Sequence, residues 1–107
     1  MAQYHKLKFK ETEIYLYPNL GALANFEEKN GIGVLDMFSG NGKLPKLDII
    51  YSFLHECHKV ASIRRSEPII SFEELKTWTD GKNVLEVFNL SLNDLVSELG
   101  IEEKKTN

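Results

Sequence analysis

Leu47-Asp48-Ile49-Ile50-Tyr51-Ser52-Phe53-Leu54-His55-Glu56-Cys57-His58-Lys59-Val60-Ala61 is the longest run in this chain with a helical apolar period and neither glycine nor proline inside it. Leu47, Ile50, Leu54, Cys57 and Ala61 form one row of side chains; Ile49, Phe53 and Val60 form a second, and helical geometry sets the rows side by side. A surface helix needs an apolar arc of roughly 100°, and this one is wider. The stretch therefore reads as a central helix covered from at least two sides, with the rest of the chain as its cover.

N-terminal to it, residues 4–17 alternate with a period of two. Leu7 and Phe9 lie between Lys6, Lys8 and Lys10, and Ile14 and Leu16 lie between Glu13, Tyr15 and Tyr17. This predicts a hairpin. With Glu11-Thr12 as a two-residue turn, Lys10 opposes Glu13, Phe9 opposes Ile14 and Leu7 opposes Leu16, which puts all four apolar side chains on one face. Glu-Thr lacks the Asn-Gly or Asp-Gly chemistry of tight hairpins, so a longer turn stays open. The outer face carries Tyr15 and Tyr17 among lysines. Such rings suit recognition of another protein, and suit equally well being covered by a helix.

Pro18-Asn19 stops the second strand and supplies a helix cap. Leu20, Leu23, Ala24 and Phe26 then follow a helical period to Asn30-Gly31, giving a helix of about ten residues. Gly31-Ile32-Gly33 breaks the chain, Val34 to Phe38 allows a turn or two of helix, and Ser39-Gly40-Asn41-Gly42 breaks it again. Met37 and Phe38 beside that loop either plug the edge of the core or form an adaptable docking patch. Pro45 suits the first helical position of the central helix, which should end near Ser62. A polar connector from Ile63 to Pro68 leads to Ser71-Phe72-Glu73-Glu74, a capping box with Ile70 and Leu75 placed as its hydrophobic staple. That helix reaches about Thr79, with Trp78 as a core anchor. The last helix, residues 83–99, carries Leu85, Phe88, Leu92, Leu95 and Leu99 on one stripe with Val84 and Val96 beside it, and should pack along the central helix until Gly100 ends it.

The expected fold is thus α+β and mostly helical: an N-terminal β-hairpin on a small bundle of about four to five helices. Its 107 residues make one domain, 1–100, whose core buries roughly 60 to 70% of the extended-chain surface, with a frayed tail at 101–107. The chain is 42% hydrophobic and 27% charged, ordinary values for a globular protein, and its formal net charge is −3. No cluster of Lys and Arg exceeds a pair, which disfavours duplex nucleic acid. A single cysteine, Cys57, and no apolar run long enough for a leader or a bilayer span point to a reducing cytoplasm.

Chemistry-bearing groups are few. Gly40-Asn41-Gly42-Lys43 resembles a phosphate loop only superficially, since Met37 and Leu44 stand where that motif needs a glycine and a hydroxyl residue. His55 and His58, three apart, could share a helix face, but Cys57 points away from both and only His5 and scattered carboxylates remain as a fourth ligand. The expectation is a core thiol flanked by partly exposed histidines, with no metal, no cofactor and no catalytic residue. A thiolate nucleophile needs an open, electropositive pocket rather than an apolar stripe.

The order of these elements resembles the tail assembly chaperones of long-tailed bacteriophages and prophages. The likeness rests on the opening hairpin, the helix end Asn25-Phe26-Glu27-Glu28-Lys29-Asn30-Gly31, the central Asp48-Ile49-Ile50-Tyr51-Ser52-Phe53-Leu54-His55, the capped Ser71-Phe72-Glu73-Glu74-Leu75 and the final leucine-rich helix. It spans nearly the whole chain and departs from the pattern between Glu56 and Arg65, where the run to the capping box is longer. The resemblance implies a non-catalytic protein of the host cytoplasm, absent from the mature virion, that binds the tape measure protein and, as a second partner, the tail tube protein. Tyr15, Tyr17, Met37 and Phe38 are then the candidate partner-binding residues, and the oligomeric state stays open, a homo-oligomer included. It also implies a longer form made by ribosomal frameshifting, for which Glu102-Glu103-Lys104-Lys105 suits an A-rich slippery run. Two other classes compete: a small phage or bacterial nucleic-acid-binding regulator using Lys59, Arg64 and Arg65 on phosphates, and a metal-dependent enzyme using His55 and His58.

Overall fold

The computed structural model describes residues 3–8, 13–33, 46–78 and 81–100. Strands β1 (His5–Lys8) and β2 (Glu13–Leu16) form an antiparallel hairpin. Four helices follow among the described residues: α1 (Leu20–Asn30), α2 (Leu47–Arg65), α3 (Phe72–Trp78) and α4 (Gly81–Leu99). The α+β class with an N-terminal hairpin is as the alternation and periodicity predict.

The hairpin register is shifted by two residues from the expected one. Lys8 pairs with Glu13, Leu7 with Ile14, Lys6 with Tyr15 and His5 with Leu16. Four residues therefore separate the paired ends instead of two, as befits a Glu-Thr sequence that lacks tight-turn chemistry. A shift of two preserves the alternation of faces, so Leu7, Ile14 and Leu16 still point inward together and are buried.

Helix α1 is bounded by the caps its sequence announces. The Asn19 side chain accepts a hydrogen bond from the Ala22 N–H at 2.9 Å, and Gly31 ends the helix in the left-handed region at φ 67°, its N–H donating to the Glu27 carbonyl. Leu23 and Phe26 turn inward with Ala22, whereas Leu20 and Ala24 face solvent, contrary to the expected stripe. Asn30 donates from Nδ2 to the Ser52 hydroxyl at 2.8 Å, tying the end of α1 to the middle of α2.

Helix α2 is the spine. Every residue from Ser52 to His58 is buried, so two full turns are enclosed around their circumference by α1, β2 and α3. Phe53 is the hub: its ring meets Phe26 of α1 at 5.6 Å and Phe88 of α4 at 5.7 Å, both edge to face. Three expectations for this helix fail. Leu47, in its first turn, is 56% exposed and stands outside the buried core, although Ile49 beside it packs against that core. Its first helical residue is Leu47, with Lys46 as the N-cap, rather than the expected Pro45, which itself lies outside the described residues. It runs a turn past Ser62 to Arg65, since Ile63-Arg64-Arg65 contains no breaker and Ser66 then stops it in the left-handed conformation at φ 56°.

The capping box forms as read. Glu74 N–H donates to the Ser71 hydroxyl at 3.0 Å and Ser71 N–H donates to the Glu74 carboxylate at 3.2 Å, while Leu75 is fully buried and Ile70 packs against the same core. Helix α4 starts two residues earlier than predicted and buries Val84, Val87, Phe88, Leu92 and Leu95. It lies chiefly against β1 and α1 rather than along α2, because the hairpin is wedged between them; His5 Nε2 and Asp94 Oδ2 are 2.8 Å apart across that contact. Met37, Phe38, the Gly40-to-Lys43 loop, Thr79, the tail from 101 and the Trp78 side chain lie outside the described residues.

Candidate functional site

Alternation along the hairpin places Tyr4, Lys6, Tyr15 and Tyr17 on its outer face. The unforeseen extra turn of α2 carries Arg64 and Arg65 across that face. The Arg64 guanidinium lies 4.0 Å from the centre of the Tyr17 ring and that of Arg65 lies 3.8 Å from Tyr15, both close stacking contacts. Tyr4 completes the group, 4.8 Å from Tyr17 and 6.0 Å from Tyr15 ring to ring, and its hydroxyl accepts a 3.4 Å bond from Arg64 Nε. The rings thus stand among arginines more than lysines, although Lys6 lies 5.8 Å from the Tyr15 centroid. Arg65 is held edge-on by Glu67 through two bonds of 3.0 and 3.1 Å. The Tyr4 hydroxyl raises the Arg64 pKa and Glu67 that of Arg65, so both stay cationic. The result is a stacked plate of three tyrosines and two arginines, open to solvent on one side, with Tyr4 38% exposed.

What fixes this plate is a polar seam beneath it. Tyr17 N–H donates to the Cys57 carbonyl at 2.9 Å, and Tyr15 C=O receives a 3.2 Å bond from His58 Nδ1, so the spine helix serves β2 as a third strand would. On its other ring nitrogen His58 accepts the Ile70 N–H at 3.0 Å, and His55 Nε2 donates to the Ile70 carbonyl at 2.8 Å. An amide N–H can only donate and a carbonyl can only accept. These partners therefore assign His58 as neutral with its proton on Nδ1, and place a proton on Nε2 of His55, whose buried Nδ1 has no hydrogen-bond partner. Both imidazoles are buried, 7% and 2% exposed for His55 and His58, where the sequence pointed to partly exposed rings. Burial pushes both pKa values below the ordinary histidine range.

The remaining candidates are accounted for similarly. Cys57 is fully enclosed, and burial pushes its thiol pKa up, the reverse of an activated nucleophile. Glu56 is buried with one carboxylate oxygen 3.1 Å from Lys59 Nζ and 3.8 Å from Lys29 Nζ. Lys59, a phosphate contact in the regulator reading, is thus turned toward that carboxylate rather than toward Arg64 and Arg65. Among the described residues no group of three or more His, Cys, Asp and Glu is placed to hold a metal ion, and no helix is long and apolar enough to cross a membrane.

Of the partner-binding candidates, Tyr15 and Tyr17 are brought together, while Met37 and Phe38 lie outside the described residues. Sequence reasoning missed Tyr4 as their third member and the arginines as their cover. The signal was present in the even spacing of Tyr4 from Lys6 and Lys8 and in the lack of a breaker before Ser66. The class defined by this geometry is an α+β domain with an aromatic and cationic surface plate. No protein-family model matches the chain, and neither a curated protein nor a solved structure is significantly similar to it.

Proposed function

We infer that this domain works by holding another polypeptide, as a tail assembly chaperone that binds the tape measure protein, with the tail tube protein as a second partner. The carrying observation is the plate of Tyr4, Tyr15, Tyr17, Arg64 and Arg65. Tyrosine and arginine are among the residues enriched where proteins bind one another, because they offer large area and directional bonds. The chemistry of the interior supports the same reading: the thiol and the two core imidazoles are enclosed, and each imidazole is committed to the backbone of Ile70. The bound partner is a long, mostly helical chain with exposed apolar faces; covering one face competes with self-association by mass action, in the host cytoplasm and before tail polymerisation.

Co-expression of the domain with tape measure fragments tests this. Co-elution and suppressed precipitation are expected, and Arg64→Ala combined with Tyr17→Ala should weaken the association by about tenfold or more, a hot-spot magnitude. The absence of both co-elution and suppression would sink the reading. Binding to DNA that falls steeply as salt rises would replace it with the regulator reading, since the same two arginines can meet phosphates. The gene should lie between a tail tube gene and a very long helical reading frame, and a slippery heptamer near codons 102–105 should open an overlapping frame.

A further inference from the structure

The Ile70 peptide group is gripped at both ends by imidazole, its N–H by His58 Nε2 and its carbonyl by His55 Nε2. His58 reaches with its other nitrogen to Tyr15, so one ring spans the connector between α2 and α3 and the strand that carries the plate. The same connector carries Glu67, which clasps Arg65. We propose that His55 and His58 form an acid-sensitive latch on the Ile70 peptide: neutral, they hold the 66–70 connector against α2, and protonation breaks the His58–Ile70 N–H bond, releases the connector and, through Glu67 and Arg65, loosens the tyrosine–arginine plate.

The chemistry of each ring makes the second state costly. A proton added to His58 would go on Nε2, where it would confront the Ile70 N–H, donor against donor. A proton added to His55 would go on Nδ1, which is buried with no hydrogen-bond partner and so has no acceptor to receive it. The rings are 6.1 Å apart, so charge on one opposes charge on the other, and they titrate as a pair. Surrounding charges do not rescue the cation. From α1, Lys29 opposes a charge on His55, as does Lys59 of α2, while Glu56 of α2 favours it. From the connector Glu67 favours a charge on His58, with the Tyr15 carbonyl of β2 acting in the same direction, and the Ser62 hydroxyl lies 3.4 Å from the ring. Helix α3 sets the Phe72 ring 5.8 Å from His55, and Lys76 Nζ lies 5.1 Å from the centre of that ring. Glu67 is engaged by Arg65, and Glu56 by Lys59 and Lys29 through Oε2, its buried Oε1 having no hydrogen-bond partner. Burial therefore dominates, and below about pH 6.5, the ordinary histidine value, each ring favours the open connector by up to tenfold per pH unit.

As regulation of a docking face the latch rests on the reading above, but its test needs no partner, so the two can fail separately. Long-range nitrogen–proton correlation spectra of the full chain at pH 7.5 should show the protonated nitrogen as Nδ1 in His58 and Nε2 in His55. Between pH 7.5 and 5 the exchange protection factor of the Ile70 amide should fall about tenfold or more relative to the amides of Ile50 and Leu54. The Arg64 and Arg65 Hε resonances, shifted by the rings beneath them, should move back over the same interval. His58→Gln, which keeps an acceptor and cannot titrate, should reduce that change. The reverse tautomers, imidazoles that titrate at the ordinary value, or an Ile70 amide that keeps pace with Ile50 and Leu54 down to pH 5 would overturn the latch; the wild-type spectra decide the matter even where the variant does not fold.

Discussion

His55 and His58 differ from most histidines in being spent on main chain rather than on solvent or a metal, and this sets how the folded state responds to acid. Their folded-state pKa values lie below the unfolded value, so the unfolded chain binds protons first as pH falls. Their stability contribution is complete above about pH 6.5 and is lost as pH falls from there through the lowered values, each ring removing at most about 1.4 kcal/mol per pH unit. Urea midpoints measured from pH 8 to 5 should decline on the acid side, and the decline should shrink in His55→Gln/His58→Gln. Cys57 behaves oppositely with respect to reagent: enclosed and with a raised pKa, it should react with an aromatic disulfide only as fast as the protein opens. A fast thiol phase under native conditions would contradict that. Neither property was legible in the sequence beyond the thiol's place on the apolar row. The partners of the imidazoles are backbone groups 12 to 43 residues away, and helical periodicity carries no information about them.

At the scale of elements, what could be read was what is local. Asn19 and Gly31 bound α1, Ser71 and Glu74 cap α3, and Gly100 takes the left-handed turn at φ 76° after α4, each because a side chain or the lack of one satisfies nearby backbone. Ser71→Ala removes the hydroxyl that receives the Glu74 N–H and should cost about 1 kcal/mol, seen as a lower urea midpoint with an unchanged slope. The misreadings have one source as well. Polarity made Ile63-Arg64-Arg65 resemble a connector, yet a helix whose arginines stack on rings of another element gains from one more turn, and that gain lies in tertiary contacts. Register slipped by two because the apolar alternation is the same for every even shift, and only the turn distinguishes them. Tyr15 and Tyr17 were found as a pair; their cover was not, since it comes from about fifty residues downstream.

In the whole molecule, the first and last described elements lie against one another. Asp94 of α4 meets His5 of β1 across 89 residues, and Asn83 Nδ2 donates to the Lys8 carbonyl at 2.8 Å across 75. Contacts of such separation carry the largest loop-closure cost and are expected to form after the local helices and the α1–α2 pair. Asp94→Asn should therefore raise the unfolding rate about fivefold, a loss of about 1 kcal/mol, while leaving the folding rate nearly unchanged. An equal slowing of folding would place the clasp in the transition state instead. In the cell the same arrangement imposes an order of events. A nascent chain can wind its spine and dock α1 and β2 on it while still being translated, but the side of β1 that α4 covers stays bare until α4 has left the ribosome, so until then one greasy strand is in need of shelter.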